Sequence, residues 1–171
     1  MSKVLAFSGS NSSQSINAQL AAYTAKILGG KVIDLRDFEV PMYGIDLEKS
    51  NGIPSGITAI MEHIQAADVV VIATPEHNGL MPAFFKNILD WLSRTGVKYL
   101  EEKKVMVMSA APGNGAAKGA AGAVEKIIKY AGANVVARFN LPRFAETFNS
   151  DNGIVDSELS AVYNEALDKL K

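Results

Sequence analysis

Hydrophobic positions along this chain fall into two patterns, which are short unbroken apolar runs and longer stretches with apolar residues three and four apart. The short runs predict five strands buried on both faces, at 3–8, 31–35, 68–73, 104–109 and 134–139. The longer stretches predict five helices; Ser15 caps the first, Gly29 and Gly30 end it, Pro82 stands where the third begins, and the last follows Asp156.

The alternation of strands and helices predicts an α/β fold with one doubly wound parallel sheet and helices on both faces. With right-handed crossovers, the strand order 2-1-3-4-5 suits this length. Residues 36–53 and 140–155 fit neither pattern, and each exceeds the roughly 12 residues beyond which a structureless loop is usually functional or mobile. No linker or repeat divides the 171 residues, so we expect a single domain, 1–171.

Composition narrows the possible functions mainly by exclusion. The 17 basic and 18 acidic residues nearly balance, which gives no support for a nucleic-acid partner. There is no cysteine, so disulfides, thiolate metal sites and a cysteine nucleophile are excluded. His63 and His77 are not at metal-ligand spacing, so we expect no metal site, and His63 fits a structural position beside its helix stripe. Without a bilayer-length apolar run or a cleavage signal, we expect a soluble cytoplasmic protein with no membrane partner.

Chemistry in such folds lies beyond the carboxyl ends of the strands, where the strand order reverses. The segment after the first strand, 8–17, is rich in serine and asparagine, contains no Lys or Arg, and leads into a helix N-terminus. Backbone N–H groups and the helix dipole favour an anion there. A turn that merely caps the helix explains the same residues equally well.

The segments after the third and fourth strands are also unusual. Residues 75–79 (Pro-Glu-His-Asn-Gly) predict a tight turn whose backbone amides can face a planar ligand, although His77 by itself fits an ordinary loop histidine. Residues 110–115 are small and allow a ring to approach the backbone. Gly113, Gly115 and Gly119 imitate a dinucleotide-binding pattern after the wrong strand, and close helix packing is the alternative explanation. Asp34 imitates a ribose-binding acid but lacks the matching glycines.

Together these segments resemble the NADPH-dependent FMN reductase family, whose relatives include chromate and quinone reductases and some azoreductases. The matching residues run in order over roughly residues 1–140: Gly9-Ser10, Ser15-Ile16-Asn17, Pro75-Glu76-His77-Asn78-Gly79, Lys86-Asn87, Asp90-Trp91, Ser93-Arg94 and Pro112-Gly113. The resemblance implies a flavodoxin-like three-layer sandwich that binds FMN.

The resemblance also implies which residues hold the cofactor. The phosphate would be held by Ser10, Ser15, Ile16 and Asn17, with Ser12 where the family has arginine. The ring would be lined by Pro75, Glu76, His77, Asn78 and Gly79 on one side, and by Ala111, Pro112, Gly113, Asn114 and Gly115 on the other. His77 replaces the family tyrosine. Both departures bear on nicotinamide preference and turnover more than on FMN binding.

The activity implied by the resemblance is that of an oxidoreductase. NAD(P)H would reduce the flavin and leave, and a small acceptor such as a quinone, free flavin, azo compound or metal oxyanion would then take the electrons in a ping-pong cycle. No catalytic side chain is needed, and His77 is the one candidate proton donor. An electron-carrier flavodoxin and a flavin-free nicotinamide-binding domain are the alternatives.

The helix from Ala83 to Arg94 raises the question of oligomerisation. Its apolar residues form two faces, Phe85/Ile88/Leu89/Leu92 and Phe84/Trp91. Either the second face meets a partner, or both belong to one broad buried face. The resemblance, in which dimers and tetramers are usual, favours a homodimer or homotetramer.

Overall fold

The structure, a computed structural model, describes residues 2–96 and 98–171. Five parallel strands form a sheet in the order β2-β1-β3-β4-β5, which confirms the predicted topology. The strands are β1 Val4–Ser8, β2 Lys31–Val32, β3 Val69–Ala73, β4 Lys104–Ala110 and β5 Asn134–Leu141. The α-helices of the described residues are α1 Ile16–Leu28, α2 Ile45–Asn51, α3 Ser55–Gln65, α4 Ala83–Leu92, α5 Lys118–Tyr130, α6 Phe144–Thr147 and α7 Ser157–Asp168.

Helices cover both faces of the sheet, as the strand pattern predicted. One apolar core packs α3, α4 and α5 against one face, and a second packs α1 and α7 against the other. The central strand β3 is buried along its whole length because both cores contact it. No helix in the described part of the chain has the length and apolar character needed to cross a bilayer.

The second strand is shorter than predicted. The apolar run predicted residues 31–35, but β2 ends at Val32 and a 3-10 helix occupies Leu35–Asp37. The Asp34 carboxylate accepts a hydrogen bond from the Arg36 N–H at 2.9 Å, which caps this turn and draws the chain away from the sheet.

The two long connections are not structureless, which corrects the sequence prediction. Residues 36–53 contain α2, and residues 140–155 contain the end of β5, α6 and a small antiparallel hairpin of β6 (Phe148–Asn149) and β7 (Gly153–Ile154). These elements span two to seven residues, too few for a hydrophobic period to be visible.

Helix α4 has one broad buried surface, so the Phe84/Trp91 face is not free for a partner. Trp91 is fully buried, its indole N–H donates to the Pro41 carbonyl at 2.8 Å, and its ring packs edge-on against Tyr43. The Asn87 amide donates to the same carbonyl at 2.9 Å. The family-like residues of α4 therefore hold the 41–43 segment against the helix.

Candidate functional site

Parallel register brings the three segments singled out from the sequence to one edge of the sheet. Ser8 at the end of β1 pairs with Ala73 of β3, and Ala73 pairs with Met108 of β4. Main-chain bonds continue past the strand ends, since Gly9 N–H donates to the Ala73 carbonyl at 2.8 Å and Thr74 N–H to the Met108 carbonyl at 2.9 Å. The loops that follow these three strands therefore start side by side.

The first loop is shaped by its own serines. The Oγ atoms of Ser8, Ser10 and Ser12 each accept a bond from the N–H two residues further on, at 3.2–3.3 Å. Ser15 then caps α1 by accepting from the Ala18 N–H at 3.1 Å, as predicted. Ser12 is exposed and Ser10 half-buried, so the loop presents hydroxyl groups to solvent at the N-terminus of α1.

Gly9 allows this loop to leave the sheet. A Cβ at this position would lie 2.4 Å from the Phe85 ring, so any side chain would displace the loop or the aromatic residue. The glycine thus serves a close approach between the first loop and α4.

Asn17 joins the first loop to the end of β4. Its side chain is 1% exposed, its amide donates to the Ala110 carbonyl at 3.0 Å, and its oxygen accepts from the Ala110 N–H at 2.8 Å. Because both polar groups of the side chain are engaged with the backbone, Asn17 sets the position of α1 relative to the fourth-strand loop. The neighbouring Ile16 is the first residue of α1 and packs on the α1–α7 core.

A small cavity of about 80 Å³ lies beside the first loop, and one of its lining residues is Arg36, a cationic side chain that the sequence did not suggest for the site. Ser10, Ser12, Ser13 and the Asp34–Arg36 pair are among its lining residues. The Arg36 Nε is 3.0 Å from both carboxylate oxygens of Asp34, and this hydrogen bonding lowers the pKa of that carboxyl below its ordinary value. Arg36 was missed because the sequence gives no sign that the end of β2 returns to the serine loop.

The loop after β3 contains the predicted tight turn. His77 and Leu80 exchange main-chain hydrogen bonds at 2.8 and 3.1 Å. The two central residues, Asn78 and Gly79, have φ values of 53° and 81°, the left-handed pair that defines a type I′ turn. Residues 76–80 are exposed, so the His77 ring is accessible.

The Glu76 carboxylate is hydrogen-bonded to a helix outside this loop. Its Oε2 accepts a hydrogen bond from the Ala120 N–H of α5 at 3.0 Å. At least one carboxylate oxygen of this candidate ring-lining residue therefore faces the first turn of a helix. Pro75, which precedes it, is half-buried.

The loop after β4 is held by the segment that follows β5. The Ala111 N–H donates to the Leu141 carbonyl at 3.1 Å, and the Ala111 carbonyl accepts from the Phe144 N–H at 3.1 Å. The Arg143 N–H donates to the Gly113 carbonyl at 3.2 Å. The Arg143 guanidinium donates to Asn114 Oδ1 at 2.9 Å. Residues 112–115 remain exposed, and a Cβ on Gly113 or Gly115 would meet no atom within 4 Å. The backbone here can be approached closely.

These features suit a phosphorylated planar cofactor. Hydroxyl groups lie at a helix N-terminus, an arginine lies beside them, and two loops with exposed backbone lie at the same edge. Among residues 2–96 and 98–171, no group of three or more histidine and carboxylate side chains could hold a metal ion. All fifteen candidate residues lie in or next to these three loops, and their contacts with a cofactor stay a prediction.

Curated proteins from several organisms are similar to this chain in sequence. The Escherichia coli K12 quinone reductase is 39% identical over 75 residues, which is 44% of this chain and 40% of that protein. An NAD(P)H-dependent FMN reductase of Pseudomonas aeruginosa is 35% identical over 113 residues, which is 65% of this chain and 60% of that protein. The chain spans about half the length of the curated relatives it matches.

A solved structure of the flavoenzyme NAD(P)H:(acceptor) oxidoreductase FerB from Paracoccus denitrificans shares the fold. It is 22% identical, the match covers 99% of this chain and 97% of that chain, and the TM-score is 0.78. The sequence model of the family described as NADPH-dependent FMN reductase matches residues 2–146, most of the chain. This protein therefore belongs to the NADPH-dependent FMN reductase family.

Proposed function

We propose that this protein is an FMN-dependent NAD(P)H oxidoreductase that reduces small acceptors such as quinones, free flavin, azo compounds or metal oxyanions. The observation that carries the proposal is the serine loop at the N-terminus of α1, placed at the same sheet edge as two loops with exposed backbone. When bound, FMN supplies the chemistry by accepting hydride from NAD(P)H and passing the electrons to the acceptor in a ping-pong cycle.

The chain's own contribution at the phosphate end is electrostatic. The hydroxyl groups of Ser10 and Ser12 and the backbone N–H groups of residues 11, 13, 15 and 16 donate to phosphate oxygens, and the α1 dipole favours the negative charge. Arg36 brings a positive charge to the same cavity, where the family arginine is replaced by Ser12. The hydrogen bonds to Asp34 hold the Arg36 guanidinium in position, and the carboxylate partly cancels the positive charge that Arg36 brings to the cavity.

At the ring end, the chain supplies shape and backbone donors. Backbone N–H groups of Glu76, Asn78, Gly79 and residues 113–115 orient the ring and stabilise negative charge on it. Buried Ala116 and Ala117 close the base of the fourth-strand loop. His77 is exposed and can deliver a proton to an acceptor, and no other side chain is assigned a catalytic role.

Binding of FMN and of riboflavin to the purified protein tests the phosphate assignment. The two ligands differ only in the phosphate, so we expect much tighter binding of FMN in a calorimetric titration. Equal affinities would contradict the assignment of residues 9–17.

Anaerobic absorbance spectra test the activity. NADH or NADPH should bleach the bound flavin, a quinone should restore it, and double-reciprocal plots should be parallel. Because Ser12 replaces the family arginine, we expect less than roughly a thousandfold preference between the two nicotinamides, equivalent to about 4 kcal/mol. A bound flavin that neither nicotinamide reduces would indicate an electron carrier instead.

We also propose a cytoplasmic homodimer or homotetramer, on the strength of the family resemblance. Because the 41–43 segment covers Trp91, such an assembly would use a surface other than the Phe84/Trp91 face of α4. Light scattering coupled to gel filtration gives the mass in solution, and a monomer at micromolar concentration would contradict this proposal.

A further inference from the structure

Helix α5 has no side-chain cap from its own N-cap residue, and of its first N–H groups that of Lys118 donates to the Gly115 carbonyl at 3.2 Å. Its N-cap residue is Ala117, whose φ of 53° is left-handed and whose side chain can accept no hydrogen bond. The first N–H groups of a helix have no partner within the helix, so an outside acceptor is needed. The Glu76 carboxylate meets this need by accepting from the Ala120 N–H at 3.0 Å, although it is 44 residues earlier in the sequence.

The packing at this contact is too close for a Cβ at Gly119 unless Glu76 or the turn shifts. A Cβ at Gly119 would lie 2.9 Å from Glu76 Oε2 and 3.0 Å from the Gly79 carbonyl oxygen. The glycine therefore allows both the carboxylate and the type I′ turn to rest on the first turn of α5. Three residues further along, a Cβ at Gly122 would meet only the Arg138 guanidinium, at an ordinary 3.6 Å.

We propose that Glu76 is a positioning residue that locks the loop after β3 to the N-terminus of α5 and so fixes the spacing between loops 75–79 and 111–115. A carboxylate is well suited to this contact because the N-terminus of a helix carries a partial positive charge. Residues 111–115 lead directly into α5, so moving the helix end relative to the turn changes the width of the space between the two loops. The lock stands on geometry alone, and its effect on FMN rests on the function proposed above.

Amide exchange of the apoprotein tests the lock without any cofactor. In Glu76→Ala, the Ala120 N–H should exchange roughly tenfold faster or more, because a charge-assisted hydrogen bond is lost. Glu76→Gln keeps an acceptor oxygen and should retain most of the protection. Unchanged exchange at Ala120 in Glu76→Ala would overturn the proposal.

Calorimetric titration with FMN tests the consequence for the site. Glu76→Ala should bind FMN roughly tenfold more weakly or worse, and Glu76→Gln should stay within about threefold of the wild type. Rescue by glutamine separates positioning from a direct contact between the carboxylate charge and the cofactor. If Glu76→Gln bound FMN as weakly as Glu76→Ala, the positioning role would be wrong.

A pair of glycine substitutions in the same helix provides the matched control. Both Gly119→Ala and Gly122→Ala raise helix propensity, but only the first places a methyl group against Glu76 and Gly79. We expect Gly119→Ala to weaken FMN binding by about tenfold and Gly122→Ala to leave it unchanged. Equal affinities of the two variants would overturn the proposal. A wild type that does not bind FMN would instead refute the proposed function, and amide exchange would still decide the lock.

Discussion

The loops after β1 and β3 begin side by side, yet they are held in different ways. In the first, successive serine side chains bond the backbone two residues on, so the loop is shaped by its own sequence. The second makes one tight local turn and then depends on Glu76 reaching a helix in another part of the chain. The serine contacts that shape the first loop are thus local, whereas the Glu76 contact of the second loop reaches a helix 44 residues further along the chain.

The largest expected effect comes from placing charge in the first loop. Ser10→Asp puts a carboxylate near a phosphate of charge about −2, and two such groups ~4 Å apart repel by several kcal/mol. We expect FMN affinity, measured by calorimetry, to fall roughly a thousandfold while the fold persists.

Ser157→Asp is the control for this change. Ser157 is the exposed first residue of α7, so the substitution adds the same charge at a different helix N-terminus. It should leave FMN affinity unchanged. If Ser10→Asp bound FMN with wild-type affinity, the phosphate site would lie elsewhere, and the first loop would have no role in holding the cofactor.

Breaking the buried connection behind the first loop should cost stability. Asn17→Ala leaves the buried N–H and carbonyl of Ala110 without their side-chain partners. Each such loss costs about 1–3 kcal/mol, so urea denaturation should show destabilisation of about 2–6 kcal/mol. A loss below ~1 kcal/mol would mean that water or a local shift replaces Asn17.

The conformation of the second loop can be tested without changing its packing. A Cβ on Gly79 would meet no atom within 4 Å, but its φ of 81° is costly for alanine. We expect Gly79→Ala to lower the free energy of unfolding by about 1–2 kcal/mol. Gly113→Ala is matched because it has equal space and no positive φ, and it should change stability by less than ~0.5 kcal/mol. Equal effects would argue against the type I′ turn.

The smallest effect on cofactor affinity is expected at the exposed position of the second loop. His77→Tyr restores the family residue at a side chain that is open to solvent. Because the turn is held by main-chain bonds at this residue, FMN affinity should change by less than about threefold, which is under 1 kcal/mol. Turnover or acceptor preference should change in steady-state assays. Loss of FMN would mean that the His77 ring itself holds the cofactor.

The sequence could predict the features that depend on interactions between residues close together along the chain. The strands, the strand order and the Ser15 cap depend on periodicity and on neighbours a few residues away, and these predictions were confirmed except at β2, which ends at Val32 rather than at residue 35. The tight turn predicted at residues 75–79 was also confirmed, because the preference of Asn78 and Gly79 for left-handed conformations is local.

The sequence could not show contacts between residues that are far apart along the chain. The sequence left open whether Trp91 meets a partner or belongs to one broad buried face, because nothing in it shows that the Pro41 carbonyl would reach the indole across 50 residues. The placement of Arg36 beside the serine loop and of Arg143 on Asn114 likewise depends on chain segments meeting in space. Glu76 was assigned to the ring by resemblance alone, which carries no information about the helix that its carboxylate meets.

The contact between Trp91 and the 41–43 segment has a practical consequence. Trp91 is the chain's one tryptophan, it is fully buried, and its indole bonds a carbonyl of this segment. Indole emission shifts to longer wavelength when water reaches the ring, so release of the segment from α4 would change the intrinsic fluorescence of the unlabelled protein. Acrylamide quenching of that emission, with and without FMN, would therefore report whether the 36–53 connection moves when the cofactor binds.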